Sequence, residues 1–283
     1  MSRSNAGHFL LAVEGLALHR AWLCDRPCAD RRVDEIRALS APAASPMGIE
    51  IDAPEADVQA GYARWAGTYD DPRNPLIHAE QPAVRAMIDR LPSGVALDAA
   101  CGTGRHAAYL AARGHRVIGV DATPEMLEVA RRAVPAADLR VGDLRRLPVA
   151  DGAVDVAVCA LALTHVERLD EPIAELRRVV RPGGRVILSD HHPTLTAIGG
   201  TAFFVGADGR AGVVRSHVHR HGDYLRAFRT AKLTVRDCVE PLADAVEADL
   251  MAGGMAAMAP EAVSGAYVGL PLALVWDLEV AAA

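Results

Sequence analysis

The sequence predicts an α/β protein: a doubly wound, mostly parallel seven-stranded sheet with a helical N-terminal extension and a mixed α/β cap. Three observations carry this expectation. Between residues 94 and 190, apolar runs of about five residues alternate with helix-length segments, the rhythm of parallel βαβ units with helices on both faces. Upstream of residue 94 the apolar spacing is helical only. Downstream of residue 190 the rhythm breaks at Ala207-Asp-Gly209, and Asp-Gly is a strong tight-turn signal.

Taken in order, residues 6–39 read as a helical pair. Phe9, Leu10, Val13 and Leu16 recur at helical spacing, and a second helix is expected from Ala29 to Leu39, after Pro27. The stretch from Ser40 to Pro46 has linker composition. A helix over Ala56–Ala66, a turn over Tyr69–Pro75 and a helix reaching Leu91 follow. Strands are expected at Val95–Leu97, Arg116–Val120, Asp138–Val141, Val154–Cys159 and Arg185–Leu188. Thr201–Val205 and Val213–His219 should pair as a hairpin. A helix (Asp223–Ala231), a strand (Leu233–Val239), an Ala/Met-rich helix and a last strand (Leu272–Trp276) complete the chain. The expected organisation is an extension and linker over 1–46 and a main domain over 47–283, with a core at 94–192 and a cap insertion at 193–232.

Composition narrows the function. The 283 residues are 51% hydrophobic and 23% charged, the balance of a globular protein. A net charge of −6 and 4% aromatic residues argue against nucleic acid, which asks for a basic face and stacking rings. A small-molecule acceptor is expected instead. Cys24, Cys28, Cys101, Cys159 and Cys238 are odd in number and scattered, so no disulfide framework is visible and a reducing, cytoplasmic setting is expected. The apolar run Phe9–Leu18 is broken by Glu14 and lacks a strong basic start. Neither a signal peptide nor a membrane partner is therefore expected.

In an open α/β sheet, ligands bind beyond the carboxyl ends of the strands. There Asp98 ends the first expected strand, and Gly102-Thr-Gly104 turns into a helix. Glycines let backbone approach a ligand, and the helix N-terminus offers unpaired N–H groups. Seventeen residues beyond Gly104, Asp121 closes the second strand, where a carboxylate can hold two ribose hydroxyls. This turn alone also fits a nicotinamide-dependent oxidoreductase. Asp98 separates the two readings, because a carboxylate aimed into the turn suits an ammonium and repels a pyrophosphate. Gly142-Asp143-Leu144 after the third strand and Arg181-Pro-Gly-Gly184, a turn into the fifth, point the same way.

Leu97–Gly104, Gly119-Val-Asp121, Gly142-Asp-Leu144, Asp155–Cys159 and Arg181–Gly184, in this order and spacing, resemble the motifs of class I S-adenosylmethionine-dependent methyltransferases. That resemblance implies a Rossmann-like methyltransferase domain with S-adenosyl-L-methionine as cofactor and S-adenosyl-L-homocysteine as product. It also implies that Asp98, Ala100 and Gly102 line the methionine end, with Gly104 in the same cofactor-binding turn. Asp121 would take the ribose, Ala122 and Met126 would lie beside the adenine, and Asp143 and Leu144 would bracket its amino group. Ala160 would sit near the sulfur. Tyr62–Asp70 resembles the helix that closes over the cofactor in the quinone-biosynthesis and small-molecule subgroup, with Tyr69 as the expected contact. The alternative is that Tyr62, Trp65 and Tyr69 only pin that helix to the core. The layout is also similar to tailoring methyltransferases of bacterial natural-product pathways, which implies O- or N-methylation of a small hydrophobic or polycyclic metabolite. A non-catalytic scaffold of the same fold is the other alternative.

A hydroxyl acceptor needs a base, and histidine titrates near neutrality. His165, His191, His192, His217, His219 and His221 all fall near the expected strand ends or the cap. His192 is the first candidate base and His165 the second; the alternative is a hydrogen-bonded pocket wall. Asp190, His192, His217 and His219 could also ligate a metal, but without a known spacing no metal is assigned. Phe203, Phe204, Tyr224, Phe228 and the Met251/Met255/Met258 stripe suggest an apolar cap or ordinary core. The N-terminal helices could serve as a homodimer surface.

Overall fold

The computed structural model describes residues 3–41 and 50–282. Helix α1 (Ala6–Ala21) starts at Asn5, whose side chain accepts the His8 N–H, and α2 (Arg26–Leu39) starts at Asp25, which caps Cys28. Pro27 falls in the first turn of α2, where its missing N–H costs nothing. The helix therefore begins three residues before the expected start. The expected boundary at residue 46 lies outside the described residues. Glu14, which interrupts the apolar run, is buried because Arg32 of α2 lies 3.2 Å away and ties it to Glu261.

Helix α3 (Val58–Trp65) and α4 (Pro75–Ile88) precede the sheet, capped by Asp57 and Asn74. The sheet strands are β1 (Val95–Ala99), β2 (Arg116–Asp121), β3 (Asp138–Val141), β4 (Val154–Ala160), β5 (Val180–His191), β6 (Leu233–Val239) and β7 (Ala273–Val280). Their order is β6-β7-β5-β4-β1-β2-β3. Only β7 runs antiparallel to its neighbours. Helices α5 (Arg105–Ala112), α6 (Pro124–Ala133) and α7 (Asp170–Val179) make the crossovers.

Alternation along each strand sorts side chains to two cores. Leu97, Cys159, Leu188 and Trp276 pack with Ile173 and Leu176 of α7. Their neighbours Ala96, Val158, Ile187 and Val275 pack on the opposite face against Val84 and Met87 of α4 and Leu110 of α5. Burial on both faces explains why these strands read as unbroken apolar runs.

Three expectations are corrected. Arg181–Gly184 is no simple turn but a bulge inside β5, because Val154 pairs with Val180 and Val156 with Arg185. Gly183 has φ +74°, and a side chain at Gly184 would meet the Asp155 carbonyl at 2.6 Å. The hairpin strands are Ala202–Val205 and Ala211–Val214, so His217 and His219 lie beyond the second strand rather than on it. There the chain leaves its partner strand and the His217 N–H donates to the Thr164 carbonyl at 2.7 Å. The Ala/Met-rich helix splits into α10 (Ala245–Ala252), a 3₁₀ segment (Gly253–Met258) and α11 (Pro260–Tyr267), with the break at the flexible pair Gly253-Gly254.

Between β5 and β6 lie α8 (Pro193–Ala197), the hairpin and α9 (His221–Thr230). Tyr224 and Phe228 of α9 belong to the sheet core with Trp276, and Phe203 is exposed. Phe204 stacks on Trp65 of α3 at 5.5 Å, so the hairpin clamps α3. Gly61 makes this possible, since an added Cβ would approach Val214 to 2.5 Å.

Candidate functional site

The strand order reverses between β1 and β4, and a cleft opens at their carboxyl ends, as the topology requires. It encloses about 680 Å³, within the usual range for small-molecule sites of about 300–1,000 Å³. Tyr69, Ala100, Gly102, Asp121, Ala122, Met126, Asp143, Leu144, Ala160 and His165 all line it. A small adjoining cavity is lined by Asp98, Ala100, Gly102, Thr103, Arg105 and Tyr69. Gly104 lines neither. It starts α5 with φ +87°, and a Cβ there would press on the Ala130 backbone at 3.2 Å. Its place is structural.

The turn after β1 is held from β2. Cys101 donates its N–H to the Val120 carbonyl, and Gly102 donates to Oδ2 of Asp121 at 2.8 Å. Oδ1 of Asp121 accepts the Thr123 N–H, also at 2.8 Å. Each oxygen of Asp121 thus keeps a lone pair for a ribose hydroxyl. Asp143 is anchored by Arg145, whose side chain and backbone N–H hold its carboxyl below the usual range. Ala100 and Leu161 carry φ of 54° and 53°, unusual for residues with a side chain. Both line the cleft, where such strain tends to collect.

Asp98 is buried, and its Oδ2 has no hydrogen-bond partner. Burial pushes its pKa to about 7, against the nearby Arg105. Arg105 sits at the first position of α5, the wrong end of a helix dipole for a cation. Glu80 of α4 holds it at 2.6 Å, yet its Nε remains buried without a partner. Two side chains that line the same small cavity, Asp98 and Arg105, thus each keep a buried polar atom without a partner. They fit the ammonium and carboxylate of an amino-acid moiety, and Asp98 disfavours a pyrophosphate. Arg105 was missed by the sequence reading. A cation directly after the second glycine was the available signal.

The histidines separate. His165, in the short helix after β4, reaches the cleft and pairs with Tyr62 of α3 at 2.8 Å. His191 is buried and its Nδ1 is unpartnered. Burial, with His165 nearby, depresses its pKa to about 3. His192, the expected first choice of base, does not line the cleft. The chain turns into α8 immediately after β5, and His192 caps that helix by accepting the Thr194 N–H at 3.1 Å. Asp190 is tied to Tyr224 at 2.5 Å and His219 to the Val166 carbonyl. The suggested metal set of Asp190, His192, His217 and His219 is therefore not assembled.

His192, His221 and Glu240 do converge, with Nε2 atoms 2.9 and 2.8 Å from one carboxylate oxygen. Since Nδ1 of His192 accepts a backbone N–H, its Nε2 carries the proton and offers no lone pair to a cation. His192→Ala is thus expected to leave S-adenosylhomocysteine affinity unchanged in calorimetry. The lost cap should lower unfolding free energy in urea by about 1 kcal/mol. A tenfold loss of turnover with that affinity unchanged would return His192 to the site as a base.

An open α/β sheet with an antiparallel seventh strand beside the fifth, an acid before the glycine turn and a second acid closing β2 has the architecture of the class I S-adenosylmethionine-dependent methyltransferase fold. Residues 97–188 match the family model described as a methyltransferase domain. The chain is 34% identical over 139 residues to the malonyl-[acyl-carrier protein] O-methyltransferase of Serratia marcescens, covering 47% of this chain and 51% of that protein. It thus spans about half the length of that relative. A methyltransferase from Mesorhizobium loti superposes with TM-score 0.54 at 24% identity, over 71% of this chain and 97% of its own. The [4+2]-cyclase SpnF superposes with TM-score 0.58 at 19% identity, over 82% of this chain and 99% of its own. A cyclase on this fold means that the fold does not decide the activity; the site must. Among the described residues, no helix is long and apolar enough to cross a membrane.

Proposed function

We propose that this chain transfers the methyl group of S-adenosyl-L-methionine to a small acceptor, releasing S-adenosyl-L-homocysteine. The observation that carries this reading is the pair of unsatisfied buried atoms, Oδ2 of Asp98 and Nε of Arg105, at one end of the cleft. A buried polar atom without a partner costs free energy, and the ammonium and carboxylate of a methionyl group would satisfy both. Asp121 would hold the ribose, and Ala122, Met126, Asp143 and Leu144 the adenine. Ala160 would support the sulfur, and Tyr69 would close the methionine end.

Methyl transfer from a sulfonium asks the protein to bind, orient and exclude water. Helix α3 and the turn after it do the last: Gln59 donates to the Ala122 carbonyl at 3.2 Å, and Tyr62 and Tyr69 face the cleft. The acceptor is proposed to be a small, hydrophobic or polycyclic metabolite, met in the cytoplasm, with O- or N-methylation as the outcome. The acidic net charge disfavours nucleic acid. A homodimer through the N-terminal helices is part of the same proposal, resting on Trp22 and Leu23 exposed at the turn between α1 and α2.

Calorimetric titration tests the cofactor. S-adenosylhomocysteine is expected to bind at micromolar concentration and NADH not at all. Binding of NADH alone would replace this reading with a nicotinamide-dependent oxidoreductase.

A further inference from the structure

Tyr62 and His165 share a hydrogen bond that cofactor binding does not require. His165 Nδ1 lies 2.8 Å from the Arg215 carbonyl. A carbonyl only accepts, so Nδ1 carries the proton and Nε2 presents a lone pair. The Tyr62 hydroxyl, 2.8 Å away, must then donate to Nε2, and its oxygen keeps acceptor capacity. Both side chains line the cleft. Trp65 stacks on Tyr62 at 5.5 Å and Phe204 on Trp65, so the hairpin fixes the phenol in place.

We propose that Tyr62 and His165 form a proton relay that makes this a site for hydroxyl acceptors, alcohols or phenols. The proposal rests on the methyl-transfer reading and specifies its substrate class. Tyr62 receives the acceptor's hydroxyl proton and passes its own to Nε2 of His165. The acceptor oxygen forms the new bond to the methyl carbon, and the electron pair of the broken C–S bond stays on sulfur. One positive charge is lost at sulfur and one appears on the imidazole, which later releases the proton to water. The net charge of the cleft is unchanged through the step. That matters in a desolvated site, where creating a new unpaired charge is costly. An amine acceptor would need no such relay.

The environment keeps the imidazole neutral before reaction. Burial lowers the pKa of His165 and neighbouring His217 lowers it further, while the Arg215 carbonyl works the other way. His191 faces it at 6.3 Å between ring centroids. Burial above all, and then the charges of Tyr69, Asp121 and Asp190, hold the proton on the Tyr62 phenol. Tyr62 is the group placed to touch the acceptor; His165 acts through it.

The test is nitrogen-15 NMR of histidine-labelled protein, unliganded and saturated with S-adenosylhomocysteine or S-adenosylmethionine. His165 is expected as the Nδ1-protonated neutral tautomer. Its pKa should lie about one unit or more lower with the sulfonium bound than with the neutral product, because two like charges then share the cleft. Tyr62→Phe should raise that pKa, since the lost hydrogen bond favoured the neutral ring. An Nε2-protonated tautomer, or equal pKa values in the two complexes, overturns the relay and leaves the cofactor reading standing. Failure of S-adenosylhomocysteine to bind overturns both.

Discussion

Asp98→Asn is expected to weaken S-adenosylhomocysteine binding by about two orders of magnitude, because a buried ammonium loses its counter-charge. The pH dependence follows from the same group. With its pKa raised from 3.8 to about 7 in the unliganded protein, Asp98 binds an ammonium only in its ionised form. Affinity should be level above pH 7 and fall about tenfold for each unit below it, and this slope should vanish in the variant. Calorimetry from pH 8 to 5.5 reads both effects; a flat wild-type profile would sink the assignment. The variant should be at least as stable as the parent without ligand, since it removes a buried charge that lacks a full partner. Weakened binding without unfolding separates a site residue from a structural one.

Glu80→Ala should be the most destabilising of these changes. Glu80 is buried, lies 2.6 Å from Arg105 and 3.2 Å from His106, and accepts the Ser189 hydroxyl at 3.0 Å. Burial alone would raise its pKa, but His106 and Arg105 overcome this and bring it from 4.5 to about 2. Truncation leaves the Arg105 cation buried without a counter-ion, at a cost of about 3–5 kcal/mol. Because the folded value is depressed, this stabilisation is complete above about pH 4.5 and is lost as pH falls toward 2. Urea unfolding at pH 7 and across that window measures both, with Glu80→Gln as the variant that keeps the shape and loses the charge. A loss below about 1 kcal/mol would mean that Arg105 finds another partner.

The two variants probe opposite sides of one design. Glu80 neutralises Arg105 without saturating it, and Asp98 is buried with one oxygen left open. Both leave bonding capacity at the Asp98 end of the cleft, where a ligand can complete it.

Much of this was legible in the chain. Strands buried on two faces must be largely apolar, so the inner strands β1 and β4 and the second half of β5 stand out as short runs, whereas β3 at the sheet edge is half charged. The glycine turn is local: Asp98, Gly102 and Gly104 lie within seven residues and their positions follow from one strand-to-helix turn. Asp121 is placed by the next strand, and Asp143 by the one after. Backbone geometry at strand ends needs no knowledge of distant partners, and the Leu233–Val239 strand was read to the residue.

Side-chain partnerships were not legible, because periodicity says which face a residue takes and not what meets it. His165 and His192 both follow a strand end, yet the chain after β4 lies at the cleft while α8 starts at His192 and turns it to Glu240. Tyr62 meets His165 across 103 positions, and Arg105 meets Glu80 from a different helix. By itself the sequence determined the sheet, the glycine turn after β1 and the acids at the strand ends, since each depends on residues adjacent along the chain. Only the tertiary structure decided which histidine faces the cleft and which buried charges stay open. Those depend on desolvation and on contacts between elements far apart in sequence, which no local pattern records.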